Sequence, residues 1–236
     1  MRFKSPLVQG RLIQRYKRYL ADVRLDSGET VTAACGNPGA MLGLAAPGNR
    51  VWLQTKTTGK LGYSWELVEA DFGRGPVLVG VNTNNPNPVT EEALRAGIVS
   101  EAAGYASIRR EVRYGVNSRI DFLLEGPQRP PCYLEVKNCH MMRQAGLAEF
   151  PDCVTTRGAK HLRELANEVK AGNRAVMLFC IQMPADAFTL AADIDRIYAE
   201  TFAAAAAAGV EAYAYVCRVT PEEIVMERAV PVRFPA

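Results

Sequence analysis

The stretch "SRIDFLLEGPQRPPCYLEVKN", residues 118–138, sets Asp121 inside one apolar run and Glu135 and Lys137 inside a second. An ionised group leaves water at a large free-energy cost unless it is paired, hydrogen-bonded or bound to a metal, so these three residues require a specific explanation. Both runs read as strands, and Gly126–Pro131 between them has the length and composition of a hairpin turn. Side chains alternate along a strand, which puts Tyr133, Glu135 and Lys137 on one face. A hairpin pairing the two runs then stands Asp121 beside Glu135, and like charges that close call for a cation. Magnesium is held by carboxylates, carbonyls and water, so Asp121, Glu135 and the main-chain carbonyl of Val136 are the expected ligands of Mg²⁺ or Mn²⁺. Such an ion lowers the pKa of a bound water and offsets charge developing on a phosphate, with Lys137 orienting that water or stabilising the anion. The spacing alone is common. The structural alternative is that Asp121 and Glu135 pair with Arg119, Arg113 or Lys137 on a half-exposed sheet.

Working outward, the chain is mixed on the C-terminal side. Residues 91–104 read as a helix with acids in its first turn, and strands are expected at 107–114, 119–125 and 132–137. Thr155 to Ala171 is amphipathic: Leu162, Leu165, Ala166 and Val169 share one face, and Arg157, Lys160, His161 and Glu164 share the other. "RAVMLFCIQ", 174–182, reads as a strand covered on both faces; a helix over 193–208 and a strand over 210–219 follow, and the tail after Pro221 is ambiguous. The order is α, β, β, β, α, β, α, β, an α/β layer with an antiparallel start and a parallel crossover.

On the N-terminal side the first eighty residues offer six short strand candidates, at 7–14, 19–25, 29–34, 50–56, 61–69 and 76–81, separated by glycine- and proline-rich turns. This fits a compact barrel, the OB-fold being one member of that class. "TNNPNPVTEE", 83–92, carries prolines and asparagines that continue no strand and are read as excluding a helix, and it marks the boundary between residues 1–82 and 83–236.

Composition bounds the rest. The 236 residues are 48% hydrophobic and 22% charged, the balance of a globular protein of one large or two modest domains. The net charge of +3 is small, but residues 1–24 hold Arg2, Lys4, Arg11, Arg15, Lys17, Arg18 and Arg24 against Asp22 alone, a candidate phosphate-attracting surface. Six cysteines without a C-x-x-C pair and an N-terminus without an apolar leader suggest a reduced, cytoplasmic chain. Cys132, Cys139, His140 and Cys153 match no familiar zinc spacing. The longest apolar stretch, 202–210, is far short of the ~20 residues a membrane span needs, so no membrane partner is expected.

Several stretches together, "LIQRYKRYLADV" (12–23), "VNT" (81–83), "EVRYGVNSRIDFLL" (111–124), "YLEVKN" (133–138), "FPDCVTTRGAKHLREL" (150–165) and "RAVMLF" (174–179), closely resemble the sugar fermentation stimulation protein A (SfsA) family along essentially the whole chain. The resemblance implies an α+β protein of two domains: an N-terminal OB-like β-barrel, then a C-terminal α/β domain of PD-(D/E)XK nuclease-like fold. It also implies a DNA-binding protein linked to sugar-utilisation genes. On that pattern Asp121, Glu135 and Lys137 match the catalytic triad. Glu92, Glu111, Asp152, Arg157, Lys160 and His161 become candidates for an extended site, and Arg15, Tyr16, Lys17, Arg18 and Tyr19 for the nucleic-acid surface, where basic and aromatic residues interleave. The chain departs from the family at residues 34–41, where a pattern close to His-x-Pro-Asn-Thr-Gly-x-Met keeps only Asn37, Gly39 and Met41, leaving the role of that loop open; His140 and Thr156 also replace family residues.

Two readings follow. One is a Mg²⁺- or Mn²⁺-dependent nuclease acting on DNA, with single-stranded DNA or RNA as alternative partners. The other is a non-catalytic DNA-binding regulator that retains the fold. A third, a sugar-binding barrel using Tyr63, Trp52 and Trp65, rests on fold analogy alone. The sequence leaves a homodimer open.

Overall fold

The computed structural model describes residues 1–233. Five strands close a small barrel: β1 (Val8–Tyr16), β2 (Leu20–Leu25), β3 (Thr30–Cys35), β4 (Arg50–Thr55) and β5 (Tyr63–Asp71). β1 pairs with β2 and β4, β2 with β3, and β5 with both β4 and β3, so the ring leaves no free edge within it. A sixth strand, β6 (Pro76–Gly80), extends the sheet from β5. Glycine is required at position 10, because a Cβ there would lie 2.6 Å from the Arg24 carbonyl of the adjacent strand. The barrel is filled by Leu12, Val23, Leu53 and Trp65, all almost fully buried. Trp52 and Trp65 are 4% and 0% exposed, so neither offers a face to a sugar.

The helix after the barrel, α1 (Pro86–Arg95), begins five residues before the sequence suggests and ends nine before. Proline is tolerated in a helix's first turn, where its missing N–H has no intrahelical acceptor, so Pro86 and Pro88 start this helix rather than exclude it. Gly97, at φ +72°, ends it, and Ser100–Ala102 form only a 3₁₀ turn. The second large sheet then assembles from β7 (Ser107–Tyr114), β8 (Ser118–Gly126), β9 (Arg129–Cys139), β12 (Arg174–Ile181), β14 (Glu211–Val219) and β15 (Ile224–Val230) in the order β15-β14-β12-β9-β8-β7. β7, β8 and β9 are antiparallel neighbours, whereas β9, β12 and β14 run parallel. Helices α2 (Thr156–Lys170) and α3 (Arg196–Ala207) occupy the crossovers. A four-stranded sheet of β10 (Met141–Gln144), β11 (Leu147–Phe150), β13 (Ala187–Leu190) and β16 (Val232–Arg233) branches from those crossovers. Its strands are two to four residues long, too short to leave a periodic signal.

This is an OB-like barrel followed by an α/β domain of PD-(D/E)XK nuclease-like fold. One apolar cluster runs unbroken from the barrel interior, through Met142 and Phe188, to the layer where Phe179, Tyr198 and Phe202 pack under α2 and α3. A second cluster covers the opposite face of the large sheet with Val89, Ala93 and Leu94 of α1, and takes in Trp52 and Leu67 from the barrel. The two units are therefore joined by apolar packing on both faces, and the groove between them is where the polar residues collect.

Candidate metal centre

The β8–β9 ladder pairs Phe122 with Leu134 and stops there, because the next residue of β8 is Asp121. Its carboxylate replaces the backbone of β8: Oδ2 accepts the Val136 N–H at 2.7 Å. A strand residue points its N–H and C=O to the same edge, so the Val136 carbonyl faces the side Asp121 occupies. Asp121 Oδ1 accepts from Asn87 Nδ2 at 2.8 Å, and Asn87 stands in the first turn of α1. Opposite, Glu135 is 3% exposed. Its Oε1 accepts from Lys137 Nζ at 2.7 Å and from His161 Nδ1 on α2. Its Oε2 is buried with no hydrogen-bond partner. Arg157 Nε donates to His161 Nε2 at 3.3 Å, so the two partners of the ring fix the Nδ1–H tautomer and orient it on Glu135. His161 and Glu164, on the polar face of α2, are both buried because β9 and the β7–β8 turn cover them.

The electrostatics separate the two carboxylates. Burial and the neighbouring Glu135 charge push Asp121 up to about 6, against the opposing donors Val136 N–H, Asn87 and Lys137. Burial also raises Glu135, but Lys137 and His161 together outweigh it and hold that carboxyl below its ordinary value. Among the described residues no three His, Cys, Asp or Glu side chains converge as a metal cage. The donor set is thus two carboxylates and a main-chain carbonyl, which suits a hard dication that retains water rather than zinc. Glu135 Oε2 supports that fit: a buried carboxylate oxygen without a donor costs about 1–3 kcal/mol, and a cation would relieve it.

A cavity of about 490 Å³ opens over this pair and is lined from both domains, by Arg18, Asn37 and Gly39 of the barrel and by Asp121, Glu135, Lys137, Asp152, Arg157 and His161 of the α/β domain. The 36–41 loop, whose role the sequence leaves open, forms one wall. Asn37 donates to the Val81 carbonyl at 2.9 Å and lies 3.2 Å from His140 Nε2. Asp152 Oδ2 accepts the Met41 N–H at 2.9 Å and meets His140 Nε2 at 3.3 Å. His140 Nδ1 lies 3.0 Å from the Asn138 amide, whose oxygen takes Gln182 Nε2 at 2.6 Å. Burial would raise Asp152, yet the hydrogen bonds from His140 and Met41 outweigh it and hold the carboxyl at about 2.

The remaining sequence candidates lie outside the cavity. Glu92 pairs with the N-terminal ammonium at 2.5 Å. Glu111 is exposed on β7 at φ +53°. Lys160 Nζ donates to the Val116 carbonyl at 2.8 Å. Arg15 spends its guanidinium on the carbonyls of Asn37 and Gly39, both at 2.8 Å, and on Arg18, bracing the loop instead of facing solvent. Tyr16 donates to Asp22, and Lys17 and Tyr19 are exposed at the turn. Of that basic run only Arg18 lines the cavity, from a turn in which it and Lys17 both take positive φ, 62° and 49°. No motif in the sequence marks Asn37, Asn87 or Asn138 as site residues, and His140 enters it in a cysteine–histidine set without zinc spacing. The asparagines of 83–88 are the available signal, and by pattern they mark a chain break.

Residues 13–81 match the SfsA N-terminal OB domain, and residues 84–223 match the sugar fermentation stimulation protein RE domain. The chain belongs to the SfsA family. It is 58% identical over 234 residues to a sugar fermentation stimulation protein homolog of Azorhizobium caulinodans, covering 98% of this chain and 99% of that one. The Methylorubrum populi homolog is 57% identical over 236 residues, covering 99% and 95%. Among solved structures the chain is similar to Pyrococcus furiosus SfsA in complex with Ca²⁺, with TM-score 0.87, 27% identity and 99% of each chain covered.

Proposed function

We propose that this SfsA-family protein binds DNA and hydrolyses phosphodiesters with divalent-metal assistance, residues 1–82 supplying one wall of the cleft and residues 83–236 the reacting groups. The observation that carries the reading is that Asp121, Glu135 and Lys137 line one cavity, at the point where the β8–β9 ladder opens, and that Glu135 Oε2 there has no hydrogen-bond partner. The Ca²⁺ complex of the Pyrococcus furiosus relative supports a hard cation in such a protein.

Asp121, Glu135 and the Val136 carbonyl would hold Mg²⁺ or Mn²⁺, which when bound supplies a water of lowered pKa and a charge that offsets the phosphoryl oxygens. Lys137 keeps its ammonium against Glu135, where it orients the attacking water and stabilises the charge developing on phosphorus oxygens. His161 locks the Glu135 rotamer, and Arg157 locks His161. Arg18 and Arg157 line the cavity from opposite domains and are placed to clamp the phosphates flanking the scissile one.

A specific observation favours a second reading, metal-responsive DNA binding without turnover: Glu135 Oε1 is already taken by Lys137 and His161, and both Asp121 oxygens accept hydrogen bonds. The two are separated by incubating purified protein with plasmid and single-stranded DNA in Mg²⁺ or Mn²⁺. Cleavage that disappears in Asp121→Ala supports hydrolysis. Binding without cleavage supports the regulator, and equal cleavage by the variant exposes a contaminant.

A further inference from the structure

Arg113 and Arg119 stand directly opposite one another on β7 and β8, both exposed, and among the described residues neither has an acidic partner. Their neighbours on β7 differ: Arg109 pairs with Glu125 and Arg110 with Glu91. Like charges facing each other across a ladder destabilise it, so two unpaired arginines at this register call for a negative partner from outside.

The turn between them is braced. Gly115 and Asn117 take φ +52° and +59°, a conformation those residue types tolerate, and Val116 sits at the tip with 74% of its surface exposed. Both backbone groups of Val116 are gripped by α2: its N–H donates to Glu164 Oε1 at 3.1 Å, and its carbonyl accepts from Lys160 Nζ at 2.8 Å. Glu164 is itself 6% exposed, with its second oxygen buried and unpartnered. The two contacts fix where the Val116 side chain projects, at the tip of the turn that joins the two arginine-bearing strands.

We propose that the β7–β8 turn docks double-stranded nucleic acid, with Arg113 and Arg119 on backbone phosphates and Val116 as an aliphatic wedge in the groove. The proposal rests on the nucleic-acid reading above and adds the surface and the form of the partner. Arg119 precedes Asp121 by two residues on one strand, about 7 Å, so a backbone held at the turn runs towards the candidate metal centre. The chemistry favours a duplex. Single strands are gripped by exposed aromatics on which bases stack, whereas Tyr114, the aromatic residue between Arg113 and Arg119, is 7% exposed and packs against Tyr133. An aliphatic tip flanked by arginines is instead the equipment of groove insertion.

The test is fluorescence anisotropy of the full chain with a labelled 24-base-pair duplex and with one of its strands, in EDTA, across a KCl series. Arg113→Ala/Arg119→Ala should reduce the slope of log affinity against log salt by ~1.8 and weaken duplex binding by roughly 60-fold at 0.1 M salt, two phosphate contacts at ~0.9 each. Val116→Asp should weaken duplex binding by about fivefold, the effect of one like charge near a phosphate at high dielectric, and single-strand binding by less. Lys170→Ala, an exposed lysine at the C-terminal end of α2, should leave the slope unchanged. Matched thermal melts establish folding, and glutamine replacements serve at 113 and 119 if the alanines melt early. An unchanged slope in the double variant overturns the docking surface while leaving the nucleic-acid reading standing. Failure of the parent to bind the duplex, in EDTA and again in Ca²⁺, overturns the docking surface; binding of neither duplex nor single strand in either condition overturns the nucleic-acid reading as well, and so does arginine-dependent binding to anionic vesicles in their place.

Discussion

Replacing Asp121 by asparagine is expected to stabilise the metal-free protein at neutral pH while removing its affinity for divalent cations. The aspartate's pKa rises from 3.8 to about 6 on folding, because burial and the Glu135 charge oppose ionisation. A group whose folded pKa lies above its unfolded value contributes stability that is full below about pH 4 and is lost as pH rises through about 6. At pH 7.5 the ionised carboxylate therefore costs roughly 3 kcal/mol, from ~1.36 kcal/mol per pKa unit, and partial exposure reduces the effect to about 1–3 kcal/mol. Asparagine keeps the local hydrogen bonds: its oxygen accepts the Val136 N–H, and its amide donates to Asn87 once that side chain flips. Urea unfolding of both proteins in EDTA, at intervals from pH 4.5 to 8, reads the difference. The gain should be about a third of its full value at pH 4.5 and level off above pH 7; added Mg²⁺ or Ca²⁺ should then stabilise the parent alone, by about 2.7 kcal/mol at one hundred times Kd. An asparagine variant less stable than the parent at pH 7.5, or a difference that does not change with pH, would refute the electrostatic reasoning.

Asp152 has the opposite sign: its pKa falls from 3.8 to about 2, so its contribution is present above about pH 4 and lost as pH drops through 2. Asp152→Asn should cost about 1–2.5 kcal/mol at pH 7 and much less at pH 2.5, measurable by urea unfolding extended down to pH 2.5. Phe179 is fully buried and stacks on Phe188 at 4.1 Å, so Phe179→Ala should lower stability by about 3–5 kcal/mol in chemical denaturation. Of the six cysteines only Cys153 is exposed, and burial pushes Cys132 up to about 12; a thiol reagent should therefore titrate one cysteine in the native protein and six in denaturant.

The parts of this molecule that were legible in its sequence are those whose signal is local and repeated. All six barrel-side strands and the 118–138 hairpin show in alternation and turn chemistry, and α2 shows in its apolar stripe. The start of α1 did not, because proline reads as a breaker until its N–H is known to be unneeded, and Asn87 was lost with it. Convergence of distant residues is a different matter. Nothing near Asn37 or His140 in sequence indicates that they lie 3.2 Å apart despite a separation of 103 positions, or that Met41 reaches Asp152. The basic run 15–19 illustrates the same limit from the other side. Composition puts all its charges on the surface, whereas the fold turns Arg15 inward as a brace for the 36–41 loop and leaves Arg18 to face the cavity.

Anomalous diffraction from crystals grown in Mn²⁺ is the most direct measurement of whether Asp121, Glu135 and Val136 form a metal site. The expected result is a peak about 2.1–2.2 Å from a carboxylate oxygen of each acid and from the Val136 carbonyl, absent in Asp121→Ala. A peak at another location, or none with both acids still held by Lys137, His161 and Asn87, would contradict it.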